Sequence, residues 1–273
     1  MKRRQLITTS IGLTVAGSLA KAADRQLKQS DVEIKTPDGT ADAVLIHPTE
    51  GTHPGILVWT DIRGLRPAFH DMGNRIAAEG YTVLIPNPFY RAGRAPQPHA
   101  GAEFNNPADR AVMMQLMGAI TPAGVAERDA GAYLAFLDAS PAVNTGRKLG
   151  VTGYCMGGPL SMRTAALKPD RVAAAGSFHG GSLVTDKPDS PHLMIPRMKA
   201  QFYFGVASDD DEKEPNVKTI LKDAYAAANL KAEIEVYAGA RHGWCVPGGP
   251  VYNAEAADRA MGKLLGLFKT AIA

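Results

Sequence analysis

From Val32 onward, short apolar runs alternate with longer segments in which apolar residues return every three or four positions, a pattern that predicts an α/β chain with a mostly parallel sheet flanked by helices. Gly55-Ile56-Leu57-Val58-Trp59 and Tyr81-Thr82-Val83-Leu84-Ile85 are nearly continuous in apolar character, as strands covered on both faces are. Residues 148–152, 172–175, 201–206 and 232–237 continue the series, while Ile34 and residues 41–46, on either side of Pro37-Asp38-Gly39, predict an antiparallel opening hairpin. Helical spacing covers residues 67–79, stopped by Gly80, and then 125–137, 159–166, 216–229 and 254–272. Residues 86–123, rich in Pro, Gly, Ala and Asn, have the weakest periodicity and read as a loop or short-helix excursion at the rim of the site. No repeat or long linker divides the chain, so residues 23–273 read as one domain.

Residues 1–22 have a different character: Lys2-Arg3-Arg4, an apolar stretch from Leu6 to Leu19, and the small-x-small ending Ala20-Lys21-Ala22. That order predicts a cleaved export signal, with Arg3-Arg4-Gln5-Leu6-Ile7 resembling the twin-arginine type, and hence a periplasmic or secreted protein. The segment carries four of the 30 basic residues and no acidic one, so the remaining chain has 26 basic residues against 27 acidic. A nearly neutral chain offers no electrostatic case for nucleic acid or an anionic membrane as partner. A small molecule is the expected partner, and oligomeric state is not legible.

The chemistry concentrates at Gly153-Tyr154-Cys155-Met156-Gly157, which closes a strand pattern and opens a helix pattern. Gly-x-nucleophile-x-Gly is the spacing of a nucleophile elbow, a sharp strand-to-helix turn that presents one side chain above the sheet. The helix N-terminus then favours a thiolate at Cys155. In chain order such an elbow requires an acid after a later strand and a histidine after the last one. Asp209-Asp210-Asp211 follows the strand pattern at 202–206, and Gly239-Ala240-Arg241-His242-Gly243 follows that at 234–237. The expected triad is therefore Cys155, His242 and an aspartate, with Asp210 first among the three and Asp209 in reserve. Backbone amides of Met156 and Ile62 are the expected oxyanion donors. His179, in Phe178-His179-Gly180-Gly181, lacks comparable support.

Asp61-Ile62-Arg63-Gly64-Leu65-Arg66, Gly80-Tyr81-Thr82-Val83-Leu84-Ile85-Pro86 leading to Phe89-Tyr90-Arg91, Gly153-Tyr154-Cys155-Met156-Gly157-Gly158 and Gly239-Ala240-Arg241-His242-Gly243 together resemble the dienelactone hydrolase family of α/β-hydrolases, from about Val32 to the C-terminus. The resemblance implies an α/β-hydrolase fold and a Cys-His-Asp triad that opens an enol-lactone through an acyl-enzyme, dienelactone giving maleylacetate. It also implies a role in substrate binding or activation for Asp61, which stands where the best-known members carry Glu, and for Tyr90 and Arg91, with Arg94 a competitor for the substrate carboxylate. The second arginine of the family is not evident after His242, where Gly243-Trp244-Cys245-Val246 stands.

Two other readings stay open at this level: a periplasmic thiol redox or sensing protein using Cys155 with Cys245, and a noncatalytic small-ligand-binding protein. The absence of Cys-x-x-Cys weighs against the first. No cofactor or metal is expected, since the sequence has no Gly-x-Gly-x-x-Gly, phosphate loop or zinc-ligand spacing.

Overall fold

A computed structural model describes residues 25–272, and the export segment expected over residues 1–22 lies outside them. Eight strands form one sheet: β1 (Leu27–Thr36), β2 (Gly39–Pro48), β3 (Gly55–Trp59), β4 (Thr82–Pro86), β5 (Leu149–Tyr154), β6 (Val172–Phe178), β7 (Gln201–Ala207) and β8 (Ala232–Tyr237). Their spatial order is β1-β2-β4-β3-β5-β6-β7-β8. β1 and β2 form the opening hairpin, β2 runs antiparallel to β4, and every later pairing is parallel.

The helices are α1 (Pro67–Ala78), α2 (Pro107–Ile120), α3 (Val125–Ala139), α4 (Gly157–Leu167), α5 (Ser208–Lys213), α6 (Val217–Ala227) and α7 (Ala254–Ala271), with a 3-10 helix at Pro191–Arg197. Alternate residues of a strand face opposite sides of the sheet, so the core divides in two. Leu57 and Trp59 of β3 pack on one side with Tyr133 and Leu137 of α3, Leu160 of α4 and Tyr225 of α6. Ile56 and Val58 pack on the other with Phe69 and Ile76 of α1 and Leu264 and Phe268 of α7. Helix α4 is buried along nearly its whole length, between the sheet, α3 and the 3-10 helix, which is why its sequence shows little polar face.

The structure departs from the periodicity reading in two places. β1 begins at Leu27, in the polar stretch before Val32, because an edge strand needs backbone pairing with β2 more than apolar side chains. Within residues 86–123 lies α2, 14 residues long, where a loop or short helix was expected. Asn106 caps it by accepting from the Ala108 and Asp109 amides, Pro107 opens it, and Met113, Leu116 and Ile120 supply its buried stripe.

Candidate active site

The parallel strands end along one edge of the sheet, and the chemistry gathers there. Between β5 and α4 the chain turns at Cys155 with φ of 52°, a left-handed value that a side chain adopts only when its surroundings impose it. The surroundings are visible. The Cys155 amide donates to the Phe178 carbonyl at 3.0 Å, and the Gly158 amide donates to the Cys155 carbonyl at 3.0 Å. A Cβ on Gly153 would stand 1.8 Å from the Gly157 carbonyl oxygen, and one on Gly157 would stand 2.6 Å from that of Trp59. The small residues on either side of Cys155 thus answer a close approach of backbones, which also brings the end of β3 beside the start of α4.

His242 follows β8 and Asp210 follows β7, and the structure brings both to Cys155. His242 Nε2 lies 3.1 Å from Cys155 Sγ, and His242 Nδ1 lies 2.6 Å from Asp210 Oδ2. Asp209 takes a different partner, accepting from the His242 backbone amide at 2.8 Å, while Asp211 pairs with Lys218 at 2.6 Å. Burial disfavours charge on the His242 ring, but the hydrogen bonds to Asp210 and Cys155 and their negative charge outweigh it, raising its pKa to about 10. The neighbouring His179 is buried without such partners, and burial together with the charge of His242 holds its ring well below the usual histidine range.

The amides of Ile62 and Met156 have no backbone or side-chain acceptor among the described residues, and so remain free to donate. Asp61, Tyr90 and Arg91 each have partners within the fold. Arg66 grips Asp61 through both carboxylate oxygens, at 2.6 and 2.7 Å, and the Arg63 amide donates to the same carboxylate. Asp61 is given no hydrogen bond to Cys155 among the described residues. Its charge, after burial, helps push the Cys245 thiol well above its ordinary value. Arg91 donates twice to the buried Asp129, at 2.8 Å each, and once to Asp38 at 2.6 Å; the Tyr90 hydroxyl donates to Asp129 at 2.9 Å. Burying Asp129 requires these partners, so the cation and hydroxyl are spent inside the fold. Arg94 pairs with Glu33 at the surface. Cys155 and Cys245 are both free thiols.

An eight-stranded, mostly parallel sheet with helices on both faces and a sharp strand-to-helix turn at its centre has the architecture of an α/β-hydrolase. Residues 41–272 match the dienelactone hydrolase family model. The chain belongs to the dienelactone hydrolase family and is a hydrolase of that type. It is 30% identical over 232 residues to an Escherichia coli K12 protein provisionally named carboxymethylenebutenolidase, covering 81% of this chain and 78% of the relative. A protein of Methylorubrum extorquens AM1 with the same provisional name is 29% identical over 284 residues, covering 98% and 93%. Among solved structures, a provisionally named dienelactone hydrolase from Klebsiella pneumoniae superposes with a TM-score of 0.76 at 21% identity, covering 89% of this chain and 99% of that one, a likeness of fold.

Sequence reasoning passed over His179. It stands at the end of β6, between the strands that deliver Cys155 and Asp210, and its ring centroid lies 5.0 Å from that of His242. Position at a strand end was the signal available.

Proposed function

We propose that the protein hydrolyses a small carboxylated enol-lactone or ester, of the dienelactone-to-maleylacetate type, through an acyl-enzyme on Cys155. The observation that carries this reading is the continuous line of contacts from Cys155 Sγ to His242 to Asp210. Sulfur attacks the carbonyl carbon, and the oxygen that becomes negative accepts hydrogen bonds from the free amides of Ile62 and Met156. The departing ring oxygen takes the proton from His242 Nε2, leaving a thioester. His242 then deprotonates a water, which attacks the thioester and releases the acid and the Cys155 thiolate. Asp210 keeps the proton-bearing Nδ1 oriented and stabilises the imidazolium. The name carboxymethylenebutenolidase, carried provisionally by the relatives, supports the lactone as substrate. Export through residues 1–22 to the periplasm belongs to the same proposal and is supported by the twin-arginine-like sequence. Changing Arg3 and Arg4 together to Lys should retain the full chain in the cytoplasm; unchanged fractionation overturns that route.

The test of the chemistry is hydrolysis of dienelactone beside neutral aryl esters by the purified protein and by Cys155→Ala, under reducing conditions. Loss of at least about a thousandfold in kcat/KM with an unchanged circular dichroism spectrum is the expected result. Cys155-dependent turnover of aryl esters alone would keep the mechanism and overturn the carboxylated lactone as substrate, a discrimination made useful by Arg91 being engaged with Asp129 and Asp38.

A further inference from the structure

His179 is an anomaly of the site. Its side chain is almost fully buried, at 1% exposure, and neither ring nitrogen has a hydrogen-bond partner among the described residues. A neutral imidazole carries one donor and one acceptor, and leaving a buried polar group unmatched costs about 1–3 kcal/mol. The backbone holds it there nonetheless: φ is 39°, and the His179 amide donates to the Gly205 carbonyl at 2.7 Å. A packing residue at that position, against Tyr154, Trp244 and His242, would be better served by an apolar ring.

What the two nitrogens can do follows from their neighbours. A ring nitrogen of His179, one of His242 and Cys155 Sγ all lie within 4.8 Å of one another. Asp210 occupies Nδ1 of His242, so Nε2 is the atom His242 turns toward the sulfur. Two imidazoles and a thiolate are the ligands of a borderline divalent ion, and a tetrahedral ion with bonds of roughly 2.0–2.3 Å would draw these atoms to about 3.5 Å from one another. The carboxylate behind His242 completes the arrangement, since a metal-binding histidine is ordinarily fixed by an acceptor on its other nitrogen. Three protein ligands leave the fourth position for water or an incoming carbonyl.

We propose that Cys155, His179 and His242 form a reversible binding site for a divalent transition metal of the Zn2+ class, and that its occupation shuts off hydrolysis. The metal takes the place of the proton between Cys155 Sγ and His242 Nε2, that proton passes to solvent, and no electron is transferred. Nucleophile and proton carrier are then both engaged as ligands. The inhibitory consequence rests on the proposed hydrolytic mechanism; the binding itself does not.

Co2+ is the probe, titrated into chelator-stripped, reduced wild-type protein, Cys155→Ser, His179→Asn and His179→Phe, with Zn2+ as competitor and thermal melts to confirm folding. Wild type should give one ion per chain, a sulfur-to-cobalt charge-transfer band and the intense visible bands of a four-coordinate ion. Cys155→Ser should lose the charge-transfer band, and both His179 variants should bind at least about tenfold more weakly. In parallel, Zn2+ should inhibit wild-type hydrolysis reversibly, while the His179 variants, each measured against its own metal-free turnover, should need at least about tenfold more Zn2+ for the same fractional inhibition. Equal cobalt spectra and equal Zn2+ sensitivity in wild type and folded His179 variants overturn the proposal. So does absence of the charge-transfer band in wild type, a result that needs no variant to fold. A wild-type cobalt spectrum with no turnover of any lactone or ester would instead overturn the hydrolytic reading and leave the metal site standing.

Discussion

Three successive aspartates after β7 do three different things, because successive residues on a helix point about 100° apart. On the short α5, Asp210 faces the His242 ring, Asp209 the His242 amide and Asp211 the side of Lys218. Asp209 therefore sets where the loop carrying His242 sits, and Asp210 sets how long its ring keeps a proton. The sign of the pH dependence follows. A ring raised to about 10 is charged through neutrality, and the acid proposed to protonate the departing oxygen is lost only as pH rises through that value. With chelator present, kcat/KM of the wild type should fall on the alkaline side with a midpoint near 10. Asp210→Asn should lower the rate by about 10²- to 10⁴-fold and move that limb to lower pH, whereas Asp209→Asn should leave the limb in place. A limb that stays put in Asp210→Asn would show that another group titrates there. The sequence could place the triplet at a strand end and put Asp210 first, but the separate partners of Asp209 and Asp211 became visible only with the turn of α5.

At the scale of elements, the elbow is defined as much by what is missing as by what is present. A methyl group on Gly153 meets the Gly157 carbonyl, which is fixed in the first turn of α4, so there is no flexible side chain to give way. Gly153→Ala should cost about 3 kcal/mol or more in stability and abolish turnover with it. Gly262, on the exposed side of α7 with no atom within 4 Å of its virtual Cβ, is the control: Gly262→Ala should stabilise by about 0.5–1 kcal/mol. Thermal unfolding of the two variants reads both effects, and a mild loss in the first would mean that the elbow can widen. Strands β3 to β7 and helices α1, α3, α6 and α7 were legible because buried positions recur along each at the spacing of its element. Helix α2 was not, since Gly118 and the Pro-rich stretch before it mask three buried residues and one cap. For His179 the sequence showed only the strand end, because its neighbours Tyr154, His242 and Trp244 come from segments remote in sequence.

Across the whole molecule, the buried carboxylate of Asp129 on α3 ties together parts that are remote in sequence. Arg91, after β4, joins it to Asp38 in the β1–β2 turn, and Arg128 reaches the same Asp38. Arg91→Ala leaves Asp129 buried with Tyr90 as its remaining side-chain partner and should cost about 3 kcal/mol, seen as a lowered melting temperature with little change in KM. A raised KM at unchanged stability would return Arg91 to the substrate carboxylate. The parallel order of the sheet carries one more consequence, for the chain as it is made. Cys155 leaves the ribosome 87 residues ahead of His242, which follows β8, the last strand in the sequence and the one at the sheet's margin. Until His242 has been made, the line from Cys155 through His242 to Asp210 is incomplete, so for most of its synthesis a nascent chain cannot use the proposed triad on its surroundings.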